Sequence, residues 1–149
     1  MDRKEKRQAR ISALQALYAW ELAGNDPGGT LAYLTQWIED QFHPDVISYA
    51  GKLARLVIKN IATCDEMIRE RSKNWEMKRI ALIDKLILRI AITELLYIED
   101  VPPKVSISEA VEIAKEFSTD DSSAFINGIL DSVFNDQLKE KPREASNPR

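Results

Sequence analysis

The segment "RIALIDKLILRIAITELLYI", running from Arg79 to Ile98, constrains the fold more than any other part of the chain. Wound at 100° per residue, its apolar side chains fall on nearly every side, with Ile80, Ile83, Ile87, Ile90, Ala91, Leu95 and Ile98 at its centre. A helix that is apolar all round belongs inside a protein, so the rest of the chain has to surround it. "DVPPKV" ends the helix, because Pro102 and Pro103 remove donors and bias the preceding backbone away from the α region. No run reaches the roughly 18 consecutive apolar residues of a membrane span, which makes the cytoplasm the expected location and a membrane partner unexpected.

Helical spacing supplies the surrounding shell, and no convincing alternating strand is present. The first helix is predicted from about Arg3 to Ala23, stopping at Gly24. Thr30 can cap a second, with Leu31, Leu34, Trp37, Ile38 and Phe42 at 3-4 spacing, until "HPD" breaks the chain. Asp45 is expected to cap one long third helix whose stripe is Val46, Ala50, Leu53, Val57, Ile61, Cys64 and Ile68. Beyond the prolines, Ser106 and Glu109 have the spacing of a capping box, with Ile107, Val111, Ala114 and Phe117 facing inward. Asp121 or a neighbouring Ser caps the last helix, inside which Gly128 suggests close packing against another helix. After Leu138, "KEKPREASNPR" has little to bury and reads as a disordered tail.

Little of this looks catalytic. The single Cys64 and single His43 are both best read as structural, a zinc site lacks its Cys/His cluster, and no glycine-rich phosphate loop or "GxSxG" elbow occurs. The formal net charge of -3 argues against general polyanion binding, so any nucleic-acid contact needs a local patch. Such a patch opens the chain: in "RKEKRQARISALQALYAWEL", Arg3, Arg7 and Arg10 fall on the side of Leu14 and Leu17, with Lys6 close by. Cations in a first turn oppose the helix macrodipole, so helix stability alone would not select them. Two readings stay open: solvated first turns, with Asp2 and Glu5 reducing the charge, or a stripe that meets a phosphate backbone. A second row, Lys52, Arg55 and Lys59, reads as the wet face of the third helix. Tyr18 and Phe125 could stack on RNA bases, although Phe125 beside Ile126 and Ile129 is core by default.

"ARISALQALYAWEL", "LILRIAITELL", "VPPKVSISEAVEIAKEF" and "DSSAFINGILD", in this order between about Lys6 and Asp131, resemble the NusB family of transcription antitermination factors. The resemblance implies an all-α fold of about seven helices in two small sub-bundles, about 1–73 and 74–138, with no enzymatic activity and no cofactor. It implies binding of boxA RNA together with NusE, a small-subunit ribosomal protein, within an antitermination complex on RNA polymerase that supports ribosomal RNA transcription. Carried over by position, Lys6, Arg7 and Arg10 match the family's RNA-contacting basic residues, while Gln8 replaces a cation that some members carry. Asp121 and Phe125 match a second RNA-side motif, and Tyr18 and Asp84 fall on the surface toward NusE. For Asp84 a pairing with Lys85 or Arg89 on a wet edge is equally open. Ser118 stands where many members have glycine, which questions the turn before Asp121. Some relatives self-associate, which leaves a homodimer open. A purely protein-binding helical module, or a piece of an RNA-modifying enzyme, are the alternatives.

Overall fold

The computed structural model describes residues 1–24, 41–72 and 76–139, together with Ala32 and Gln36, both helical. The predicted helix after Thr30 otherwise lies outside these residues, as does the chain from 140 onward; Phe42, at its end, packs half-buried against the core. Six α-helices are found among the described residues: α1 (Arg3–Leu22), α2 (Pro44–Lys59), α3 (Ile61–Arg71), α4 (Leu82–Tyr97), α5 (Pro103–Phe117) and α6 (Asp120–Phe134). A 3-10 turn over Met77–Arg79 leads into α4, and a π-helical turn over Asn135–Lys139 follows α6. The fold is an all-α bundle.

The apolar segment takes the central place expected of it. Every residue of α4 from Leu86 to Leu95 is buried, and the helix packs against α1, α2, α3, α5 and α6. Around it the buried residues form one cluster running from Ala9 to Val133, with α1 laid on α2 and α5 on α6. Leu88 and Ile92 are wholly enclosed, so truncating either to Ala should cost about 2–5 kcal/mol.

The polar punctuation departs from expectation at several places. The predicted long third helix is two helices, broken at Asn60, whose side-chain amide donates to the Leu56 carbonyl at 2.9 Å. That side chain competes with the backbone for helix-end hydrogen bonds, so the apolar stripe continues through a change of direction. His43 rather than Asp45 caps α2, its Nδ1 accepting from the Asp45 N–H, with Pro44 in the first turn where its missing donor costs nothing. α5 begins at Pro103, so Ser106 and Glu109 lie inside it and form no capping box. Thr119 caps α6 by accepting from the Ser122 N–H, in place of Asp121 or a serine. Ser118 has φ -134°, outside the left-handed region, so nothing in that turn requires glycine. Phe117 is 37% exposed rather than inward, and a Cβ at Gly128 would meet nothing within 4 Å, so no close helix approach explains that glycine.

Candidate functional site

The cationic first turns of α1 are held by a capping box. The Asp2 carboxylate accepts from the Glu5 N–H at 2.8 Å, and the Glu5 side chain accepts from the Asp2 N–H at 3.1 Å. Two acids at the positive end of the helix therefore offset the unfavourable placement of Arg3, Lys4 and Lys6. The D-x-x-E spacing of Asp2 and Glu5 is the sequence signal of this cap, beyond the local charge that the two acids offset.

The basic stripe then divides by depth. Arg3 is 81% exposed at its side chain and Lys6 is also exposed. Arg7, 34% exposed, makes a two-pronged pair with Glu109, Nε to Oε1 and Nη2 to Oε2, both at 2.8 Å. Arg10 is 3% exposed, donating from Nε to Glu94 Oε2 at 2.8 Å, with Nη1 3.7 Å from Glu109 Oε1. Glu94 on α4 is itself buried and also accepts from Tyr49 Oη and from Ser106 Oγ. The Arg7 hydrogen bond holds the Glu109 carboxyl below its usual range against the effect of burial, and Glu109 in turn raises Arg7. Burial raises the Tyr49 hydroxyl, reinforced by the Glu94 charge, so Tyr49 remains a donor. The Ser106 and Glu109 spacing that looked like a cap thus serves two carboxylate-centred contacts between α1, α4 and α5.

Between the start of α1 and the start of α5 lies an open groove of about 480 Å³, lined by Arg3, Lys6, Arg10, Val101, Pro102, Lys104, Val105, Ser108 and Glu109. Lys104 was not singled out from the sequence; a lone lysine after two prolines carries no periodic signal. Gln8, where a cation was missing, donates to Ser12 within α1 at 3.1 Å. Lys52, Arg55 and Lys59 are exposed on α2, as their spacing suggested.

A second groove, about 510 Å³, is lined by Arg79, Ile80, Ala81, Asp84, Asp121, Ser122 and Phe125. It brings together Asp121 and Phe125, assigned to RNA by resemblance, with Asp84, assigned to the protein partner. Asp84 is 6% exposed, so the wet-edge pairing with Lys85 or Arg89 is not found. Its Oδ2 accepts from Ser122 Oγ at 2.7 Å, and its buried Oδ1 has no hydrogen-bond partner among the described residues. Arg89 instead grips Asp65 at 2.8 and 2.9 Å and Glu21 at 3.0 Å. Asp121 is exposed, whereas Phe125 and Tyr18 are half-buried and packed against the core. Cys64 is enclosed, close to Thr93 Oγ1 and the Arg89 carbonyl, and burial raises its thiol, as befits a core residue.

The family model for NusB matches residues 7–135. The chain belongs to the NusB family. Among its relatives is the transcription antitermination protein NusB of Chloroherpeton thalassium, 44% identical over 133 residues, which covers 88% of this chain and 62% of that protein. The T. maritima NusB structure is 30% identical with a TM-score of 0.78, covering 91% of this chain and 94% of that one. A crystal structure of the antitermination factors NusB and NusE in complex with dsRNA aligns with a TM-score of 0.79 at 22% identity, over 91% of this chain and 99% of the other, a likeness of fold. Membership makes this NusB-family chain a transcription antitermination factor without catalytic activity. Among the described residues no group of His, Cys, Asp and Glu could hold a metal, and no helix is long and apolar enough to cross a membrane.

Proposed function

We propose that this NusB-family chain is an RNA-binding adaptor that joins boxA RNA to NusE within an antitermination complex on RNA polymerase, in support of ribosomal RNA transcription. The carrying observation is the cationic groove, where exposed Arg3, Lys6 and Lys104 border an apolar wall of Val101 and Val105. Its neighbour by fold, the NusB–NusE–dsRNA complex, supports the choice of partners. Arg7 and Arg10 take part from behind, held at set positions by Glu109 and Glu94. The groove that holds Asp121 and Phe125 offers a carboxylate to base amines beside an aromatic ring, a combination suited to unpaired bases, and Tyr18 and Asp84 are assigned to the NusE side.

The mechanism is coupled binding: RNA and NusE each favour the other, and no bond is made or broken. Fluorescence anisotropy with a boxA RNA and a scrambled control, with and without NusE and at two salt concentrations, tests it. Tighter boxA binding, strengthened by NusE and weakened by salt, is expected. Equal binding of both RNAs, indifferent to NusE, would refute the adaptor and leave a protein-binding module.

A further inference from the structure

Glu109 is the acid on which the arginines of α1 converge. It stands on α5 with its side chain 2% exposed, and three guanidinium groups reach it, Arg7 at 2.8 Å and Arg3 and Arg10 at 3.7 Å. Arg7 gives it the most. Its Nε and Nη2 donate together, one to each carboxylate oxygen. Two parallel N–H donors on one edge of a planar fork are also what a guanidinium uses to grip a phosphate. In the free chain that edge is already occupied.

The groove between α1 and α5 shows the consequence. Arg3, Lys6 and Arg10 line it, whereas Arg7, 34% exposed at its side chain, does not. Its fork is turned into Glu109. Each partner favours the charged form of the other, the Glu109 carboxyl lowered and Arg7 raised, in both cases chiefly through the hydrogen bonds between them. Glu112 and Glu116, further along α5, add their negative charge to the field at Arg7. An anion approaching Arg7 therefore meets a cation whose charge is answered, and gains the fork only by displacing a carboxylate of like charge and similar geometry.

We infer that Glu109 is a built-in competitor for the RNA backbone, which occupies the Arg7 fork and so lowers the affinity of the free chain for any RNA. The inference rests on the RNA reading above and concerns how tightly that surface binds, not where it lies. It assigns to an acid of α5 a role opposite in sign to that of the cations around it.

The test uses the full chain, a single-stranded boxA RNA and a scrambled control, with anisotropy titrations at several salt concentrations for wild type, Glu109→Gln and Glu109→Asp. Thermal melts fix a temperature at which all three are folded. Gln keeps the shape and drops the charge, whereas Asp keeps the charge. Glu109→Gln should bind RNA about tenfold more tightly at low salt and steepen the slope of log affinity against log salt by about 0.7, the value for one phosphate contact on a single strand. The gain should be the same for both RNAs, because a phosphate contact carries no sequence information. Glu109→Asp should stay within about twofold of wild type, and Arg7→Gln added to Glu109→Gln should remove the gain. Both Glu109 variants disturb the two-pronged geometry, so a merely structural role would move them together; equal gains would overturn the inference. Unchanged or weaker binding by Glu109→Gln, with wild type binding boxA, would make Glu109 a support that holds Arg7 for the RNA; it would overturn the competitor and leave the adaptor reading intact. Absence of RNA binding in both wild type and Glu109→Gln would overturn both.

Discussion

The two ends of α1 carry charge networks of opposite balance. Near its C-terminal end, one guanidinium, Arg89, answers two carboxylates, Asp65 and Glu21, through Nε, Nη1 and Nη2. Near its N-terminal end, Arg3, Arg7 and Arg10 share the two carboxylates Glu94 and Glu109, with Lys6 and Lys104 alongside. Both networks tie α1 to distant helices. Only the second has cations in excess and a buried nitrogen that lacks a hydrogen-bond partner among the described residues. The residue types are the same, so the distinction between a brace and a binding surface lies in the charge count and in which donors remain unmatched.

The comparison breaks first at the brace. Arg89→Met should remove about 3 kcal/mol of stability, because two largely enclosed carboxylates lose their partner, while RNA affinity of the folded protein stays near wild type. Denaturant melts paired with anisotropy read both quantities. A loss of RNA affinity without loss of stability would show that the two ends of α1 are not functionally separate.

A smaller effect should follow from Glu109→Gln, about 2 kcal/mol, since the variant cannot accept from Arg7 at both oxygens. Glu109 is held below its ordinary value of 4.5 in the folded state, chiefly by the Arg7 hydrogen bond. The carboxylate therefore contributes stability that is present above that value and is lost as pH falls below it. Wild type should lose stability from about pH 4.5 downward, and Glu109→Gln should show a shallower acid limb in melts recorded across that window. An unchanged acid limb would place the acid sensitivity elsewhere.

The smallest effect is a control outside both networks. Gly128→Ala on α6 has an open site for its methyl group and should stabilise the protein by about 0.5–1 kcal/mol with RNA binding unchanged. A loss of stability there would show that another chain packs on that face of α6.

Much of the architecture was legible because helices write their period into the sequence. The all-round apolar pattern placed α4 at the centre, the stripe from Val46 to Ile68 gave the inward side of α2 and α3, and Gly24 marked the end of α1 at a positive φ of 81°. The basic stripe was visible for the same reason. Caps were read less well, since Asp, Ser and Thr cluster at helix starts and several spacings fit equally; His43 and Thr119 won where Asp45 and Asp121 were expected. The site was legible in its members more than in their roles.

By itself the sequence determined the helices, the central position of α4 and the cationic start of α1, because each depends on neighbours within a turn or two. The tertiary structure alone decided which cations are free. Arg7 and Glu109 stand 102 residues apart, and Arg10 and Glu94 stand 84 apart. Pairings over such distances leave no periodic trace, since their geometry is created only when α4 and α5 pack against α1. The same packing turned an apparent capping box into a buried donor, Ser106, and a buried acceptor, Glu109, and brought Lys104 to line the groove beside the basic turns.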